Sequence, residues 1–219
     1  MRRTGFALVT ATALALSGIT LSALAHDLLE PAQVTGLSKA DLSGFREVYA
    51  KQGVDFSRYT QISVAPLAWA EGSDKRRDDD VAKITPYNRD YLARRWAEIT
   101  KDRFGEIARL TENATDPATL VIEAKMLTAR PNRTPYDMRE MGLMNALIFG
   151  VGSAGMQINV RDGKTGALLM VLADRREGEN FRDNFNLAFF WGDTEQCMRR
   201  WAQALTEALP VAGKPAKAS

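Results

Sequence analysis

Three carboxylates in the second half of the chain, Asp162, Asp174 and Glu177, have the type and spacing that could support catalysis. Two carboxylates are enough to hydrolyse a glycosidic bond, one acting as the acid and the other as nucleophile or base. Asp174 is, however, followed directly by Arg175 and Arg176. This order favours an ion pair with a structural role, and a carboxylate-dependent hydrolase is the alternative.

Other reactive residue types are too scarce for the common catalytic and metal sites. His26 is the only histidine, so a histidine-activated nucleophile is available only if His26 itself reaches the site. A zinc site is equally short of ligands, and copper bound at an N-terminal His26 would lack a second histidine. Residues 78–80 are consecutive aspartates without the glycine spacing of a calcium loop. We therefore predict no catalytic residue, no cofactor and no metal.

Cys197 is the only cysteine, so no disulfide can form within the chain. It lies in a helical pattern together with apolar residues. A reactive or intermolecular thiol is one interpretation of this residue. A small buried hydrophobic side chain is the other, and it is the usual state of a free cysteine.

Aromatic residues in the predicted connections form the candidate binding site. Trp69 and Trp191 lie outside the predicted helical stripes, and Phe189 and Phe190 directly precede Trp191. Aromatic side chains are typical anchors at protein interfaces. We take these four residues as a candidate interaction surface for a protein or a glycan, with core packing as the alternative for each one.

The periodicity of apolar residues predicts the element order β-α-β-loop-β-β-α. The predicted strands and helices are 59–67, 85–110, 118–129, a hairpin over 154–175, and a last helix from 193 or 194 to 209. A short helix is also predicted within 38–50, where Phe45, Val48 and Tyr49 recur at helical spacing. The class is α+β, with a four-stranded, mostly antiparallel sheet and two main helices on one face.

The hairpin is the best-specified local structure. Its turn, DGKTG, begins with Asp162, whose side chain can bond the backbone, and ends with Gly166, where a positive φ is favourable. Thr165 completes the turn, and this structural role explains all three residues without a ligand.

The return strand of the hairpin is apolar on both faces. Alternation sets Leu168, Met170 and Leu172 against Leu169, Val171 and Ala173. Both faces therefore require a cover, and the helices supply only one. Segment 141–153, the N-terminal region or another protein chain must supply the second. If another chain does so, the protein is a homo-oligomer or an assembly factor.

The ends and the charge of the chain predict an exported protein. Residues 1–25 have two arginines, a short apolar run and a small-x-small exit, the pattern of a signal peptide. The apolar run is too short for a membrane span, and no cysteine follows it, so no lipid anchor is expected. We expect one α+β domain over 26–210 and a flexible tail over 211–219. Without Arg2 and Arg3, the 29 basic residues become 27, equal to the 27 acidic ones, which excludes an electrostatic case for nucleic acid.

Three stretches of the chain carry a family resemblance. They are GVDFSRYTQISVAPLAW, VGSAGMQINVRDGKTGALLMVLADRREG and FFWGDTEQCMRRWAQAL. Together they resemble domain of unknown function 3313, a family of Gram-negative envelope proteins, many of them lipoproteins. The resemblance implies a periplasmic address and no established activity. We expect a non-enzymatic accessory or scaffold protein that contacts an envelope protein or a second copy of itself. The alternative is a carboxylate-dependent hydrolase or a glycan-binding module.

Overall fold

The computed structural model describes residues 28–70, 84–132, 152–177 and 191–211. Several sequence predictions lie outside these residues: the signal peptide, His26, the aspartates at 78–80, residues 141–151, Phe189, Phe190 and the tail from 212. The elements are β1 (Ser38–Lys39), β2 (Glu47–Ala50), β3 (Gln61–Val64), β4 (Ala68–Trp69), α1 (Pro86–Gly105), β5 (Arg109–Leu110), β6 (Thr119–Arg130), β7 (Ser153–Asp162), β8 (Leu168–Glu177) and α2 (Gly192–Ala208), with 3-10 turns at Pro31–Val34 and Phe56–Arg58.

The predicted α+β class is confirmed, but the four-stranded sheet was an underestimate. One mixed sheet of 8 strands runs in the order β1-β2-β8-β7-β6-β3-β5, and β4 also pairs with β6. The four additional strands have only two to four residues each, too few to show a period in the sequence. One of them, β2, replaces the short helix predicted within 38–50.

The strand directions follow from the connections. β6, β7 and β8 form an antiparallel meander, and β2 continues it antiparallel to β8. β3 and β4 are instead parallel to β6, because α1 carries the chain back between them, and a parallel pair needs such a crossover. The sheet is therefore mixed, although its long central pairings, β6 with β7 and β7 with β8, are antiparallel as predicted.

Both helices pack on the same face of the sheet. The main core joins residues of α1 and α2, such as Trp96 and Trp201, to the inward residues of the long strands, such as Ile122, Ile158 and Leu172. The fully buried side chains are almost all in this layer, so burial of its apolar surface is the main favourable term in folding.

The second face of β8 is covered by the N-terminal region, one of the three predicted covers. Leu29 packs on Val171 and Ala173, both 0 % exposed. The Glu47 carboxylate holds this cover in place by accepting hydrogen bonds from the N–H groups of Leu28 and Leu29, at 2.7 and 3.2 Å. No second chain is needed to bury these two residues.

A bulge corrects the predicted faces of β8. Arg161 lies opposite Leu168, whereas Val160 lies opposite Met170, so Leu169 is the extra residue. Leu169 therefore joins Met170 in the main core, while Leu168 packs with the N-terminal cover. An inserted residue shifts the alternation by one position, which strict period-two counting cannot anticipate.

Candidate functional site

An open apolar groove runs between α1 and the β3–β5 edge of the sheet. Its volume is about 660 Å³. The sheet side of the groove includes Ile62, Val64 and Leu110, and the helix side includes Trp96 and Ala97. A concave, mainly apolar surface with a few charged residues is the usual form of a binding site.

By general dimensions, two helices are narrower than a sheet of this size. Seven strands lie side by side along the main path, which spans about 29 Å at about 4.8 Å per step. Two adjacent helices cover about 20 Å, since neighbouring axes lie about 8–10 Å apart. At the opposite end, the loop between β1 and β2 packs against α2, since the Gly44 backbone lies close to Ala204. Arg176 of β8 also donates a hydrogen bond to the carbonyl of Gly44 in this loop. The open groove lies at the other end of the sheet, at the β3–β5 edge.

The edge of β3 offers main-chain hydrogen-bonding groups to the groove. The N–H of Gln61 and that of Ala65 point to β6, at 3.1 and 2.9 Å from their acceptors. The alternation of a strand then directs the N–H and C=O of Val64 to the opposite side. Pairing with β5 ends at Ile62, and no backbone bond joins Val64 to β5 within the described part of the chain.

Two cations stand on the helix side of the groove. Arg94 and Lys101 are exposed, line the groove and are seven residues apart on α1. Neither forms an ion pair with another described residue. Glu112 is the single carboxylate among the described lining residues. The rim therefore has a surplus of positive charge.

Trp69 lies in a second depression of about 490 Å³, which adjoins the groove through Leu67 and Ala93. The guanidinium carbon of Arg89 lies 5.2 Å from the centre of the Trp69 ring. A cation over an aromatic face at this distance is attractive. Trp69 is thus half-buried at the end of the groove, with one of its ring faces already covered.

The other candidate aromatic, Trp191, belongs to the core. Its side chain is 5 % exposed and packs in the main cluster. It also caps α2, whose first residue is Gly192. The interaction surface predicted around Trp69 and Trp191 is therefore reduced, within the described residues, to the Trp69 end of the groove.

Asp162 is buried in a hydrogen-bonded turn rather than exposed in a cleft. Its Oδ2 accepts from Tyr59 Oη at 2.7 Å and from Arg58 at 2.5 Å, and its Oδ1 accepts from the N–H and Oγ1 of Thr165, both at 2.8 Å. Gly166 follows with φ +68°. Burial alone would raise the pKa of Asp162, but the hydrogen bonds from Tyr59 and Thr165 and the charge of Arg58 outweigh it and lower the pKa from 3.8 to about 2.

Asp174 joins the sheet to α2. Its Oδ2 accepts from Trp201 Nε1 at 2.8 Å and pairs with Arg176 Nε at 2.5 Å. Arg176 also donates to the carbonyl of Gly44 at 2.7 Å. Arg175, the residue between Asp174 and Arg176, lies on the opposite face of the sheet and is exposed. Asp174 and Asp162 thus lie in separate networks, and neither lines the groove.

Two further buried carboxylates on α2 were not predicted as sites. Glu195 accepts from Tyr91 and Arg95 of α1, at 2.6 and 2.9 Å, and from Arg199 at 2.9 Å. Burial raises the pKa of Glu195, but these partners outweigh it and lower the pKa overall. Asp193 accepts from the N–H of Gly152 at 2.9 Å, and burial raises its pKa. The helix itself starts at Gly192, one residue before the predicted start, with Trp191 at the N-cap position.

Cys197 is buried on α2. Its side chain is 4 % exposed, and burial raises the pKa of the thiol from 9.0 to about 11. Since the thiolate is the reactive form, burial and the raised pKa favour the interpretation of Cys197 as a small buried hydrophobic side chain. Within the described residues, no three carboxylate, histidine or cysteine side chains lie close enough together to hold a metal ion.

The chain belongs to the family described as Protein of unknown function (DUF3313), whose model matches residues 27–205. This confirms the resemblance seen in the sequence. The comparison with curated proteins gives no match. Across the described residues, no helix has the length and apolar character needed to cross a membrane.

Several solved structures are similar to this chain at low sequence identity. The chain is similar to a PelC dodecamer from Paraburkholderia phytofirmans, with 15% identity, TM-score 0.42 and coverage of 72% of this chain and 96% of that one. It is also similar to the hypothetical protein CT253 from Chlamydia trachomatis, with 14% identity, TM-score 0.39 and coverage of 69% and 98%. A third is protein XCC0632 from Xanthomonas campestris, of family DUF330, with 8% identity, TM-score 0.39 and coverage of 73% and 89%.

Proposed function

We propose that this chain is an exported, periplasmic accessory protein that acts through protein contacts at the α1 groove and has no catalytic activity of its own. The groove supports this proposal: it is about 660 Å³ in volume, open and mostly apolar. Exposed apolar surfaces of this kind mark interaction sites in soluble proteins.

The disposition of the carboxylates favours binding over hydrolysis. A glycosidase needs two carboxyl groups facing each other across the substrate. Among the described residues, Glu112 is the single carboxylate that lines the groove. Asp90 is the single carboxylate that lines the Trp69 depression. Asp162 and Asp174 are both buried and accept hydrogen bonds from neighbouring side chains of the protein.

Site-specific photocrosslinking in the source bacterium tests the contact. A photoreactive phenylalanine analogue replaces Ala97, which is exposed on the helix side of the groove. The matched control places it at Lys39, exposed at the opposite edge of the sheet. We expect a discrete crosslinked protein from position 97 and none from position 39. Equal crosslinking at both positions, or at Lys39 alone, would contradict the proposal.

The periplasmic address is tested separately. A fusion of the full chain to alkaline phosphatase, which is active only after export, should be active, and removal of residues 1–25 should abolish that activity. Activity that persists without these residues would show that they are not the export signal.

A further inference from the structure

We infer that the groove receives an extended, acidic segment of a partner protein, which adds as a strand to the open edge of β3. The inference rests on the proposed function and specifies its partner. Such pairing of a peptide with a sheet edge gives affinity through main-chain hydrogen bonds and specificity through alternate side chains.

The open main-chain groups at Val64 select the conformation of the partner. Val64 is half-buried, and its N–H and C=O face the groove beyond the end of β5. A helix cannot bond them, because its own backbone groups are paired internally, and an acyl chain has no polar groups along its length. An extended peptide presents free N–H and C=O groups at the spacing of a strand.

The shape of the groove fits one extended chain. The groove is open beside the part of β3 that lies beyond Ile62, where pairing with β5 ends. The two residues that follow Val64, Ala65 and Pro66, also line the groove. Pro66 has no N–H to donate and therefore limits the main-chain pairing to the stretch before it.

The charges of the rim select the side chains of the partner. Arg94 and Lys101 lie about 10 Å apart along the helix axis, at about 1.5 Å per residue. An extended chain covers that distance in about three residues, so carboxylates flanking a short apolar stretch reach both cations. The single carboxylate of the opposite wall, Glu112, leaves the rim positive overall. A basic segment would meet Arg94 and Lys101, neither of which has an ion-pair partner among the described residues, and is disfavoured.

Selection from a library of random twelve-residue peptides displayed on phage tests the inference, with the protein from residue 26 onward as bait. The Ala97→Trp variant, whose larger side chain fills the groove, serves as the second bait. Peptides that also bind this variant are removed. We expect enrichment of alternating apolar sequences that carry Asp or Glu. Enrichment of basic or helix-periodic sequences would overturn the inference, and so would a failure to enrich any peptide over the Ala97→Trp bait.

Fluorescence anisotropy on one enriched peptide then separates the two physical terms. Arg94→Glu with Lys101→Glu should weaken binding about tenfold, as expected when two exposed attractions become repulsions. The control Lys39→Glu should have no effect. N-methylation of alternate peptide nitrogens should weaken binding about tenfold in one register and little in the other, because only one set faces β3. Binding that is unaffected in both registers would overturn strand addition.

A fatty acid with a dansyl label tests the competing occupant. Failure of the label to compete with the peptide supports the inference, and displacement of the peptide at similar concentration overturns it. The two levels of proposal remain distinguishable. If Ala97 crosslinks a partner in cells but peptide binding ignores charge and N-methylation, only the strand-addition inference fails. If Ala97 gives no crosslink, the proposed function fails with it.

Discussion

Replacement of Asp162 by asparagine removes one negative charge from the hairpin turn while it preserves the size of the side chain. The wild-type carboxylate accepts hydrogen bonds from Arg58, Tyr59 and Thr165. The asparagine carbonyl can still accept from Thr165. Its amide NH₂ would face the guanidinium of Arg58. Both groups are hydrogen-bond donors, so no hydrogen bond forms between them.

The magnitude follows from the pKa of Asp162. The folded pKa is about 2 and the ordinary value is 3.8. Because the folded value is the lower one, the carboxylate stabilises the fold fully above the unfolded pKa, and this contribution is lost as pH falls through the folded pKa. The shift corresponds to about 2 kcal/mol at pH 7, about 1 kcal/mol at pH 3 and less than about 0.5 kcal/mol at pH 2.

Urea unfolding followed by circular dichroism at pH 7, 3 and 2 measures the effect. We expect Asp162→Asn to lose about 2 kcal/mol relative to wild type at pH 7 and to approach wild type at pH 2. Asp41→Asn is the control, since Asp41 is exposed and should change stability by less than about 0.5 kcal/mol. A difference that is the same at pH 7 and pH 2 would show that the lost stability is not electrostatic and would refute this reasoning.

Three further substitutions test the packing around β8 and α2, each measured by urea unfolding. Gly44→Ala should lower the free energy of unfolding by about 1–3 kcal/mol more than Gly53→Ala does. Both glycines have positive φ, but only at Gly44 would an added Cβ meet another side chain, at 2.8 Å. Equal losses of stability in the two variants would contradict the clash. Leu29→Ala should cost about 2–3 kcal/mol and increase binding of an apolar dye, since Leu29 covers the second face of β8; a loss below about 0.5 kcal/mol would mean that another segment covers it. Trp201→Phe should cost about 1–3 kcal/mol, because it removes a donor to the buried Asp174, and this loss should shrink in an Asp174→Asn background.

Several features of the fold could be predicted because they depend on neighbours in the chain. The start of α1 is one, since Thr85 accepts a hydrogen bond from the N–H of Asn88 at 3.2 Å and Pro86 occupies the first turn. The hairpin turn is another, because its geometry depends on side chains within five residues. Both are local interactions, and local interactions are written in consecutive residues.

Features that depend on distant contacts were missed or placed differently. Helical spacing around Val48 was overridden by pairing with β8, in which Val48 lies opposite Leu172. The bulge at Leu169 reversed the predicted faces of Leu168 and Leu169 without any local signal. Glu195, an ordinary helix residue in the sequence, became a buried link to α1 only because Tyr91 and Arg95 lie across from it.

The sequence by itself determined that this chain is an α+β protein of its family, with a strand that is apolar on both sides and too few reactive residues for the common catalytic sites. Only the tertiary structure decided that the N-terminal region covers that strand and that a groove remains beside α1. The reason is physical: composition and periodicity fix how much apolar surface each element has. Which surfaces meet depends on the widths of sheet and helices, and these are known only once the strands are in order.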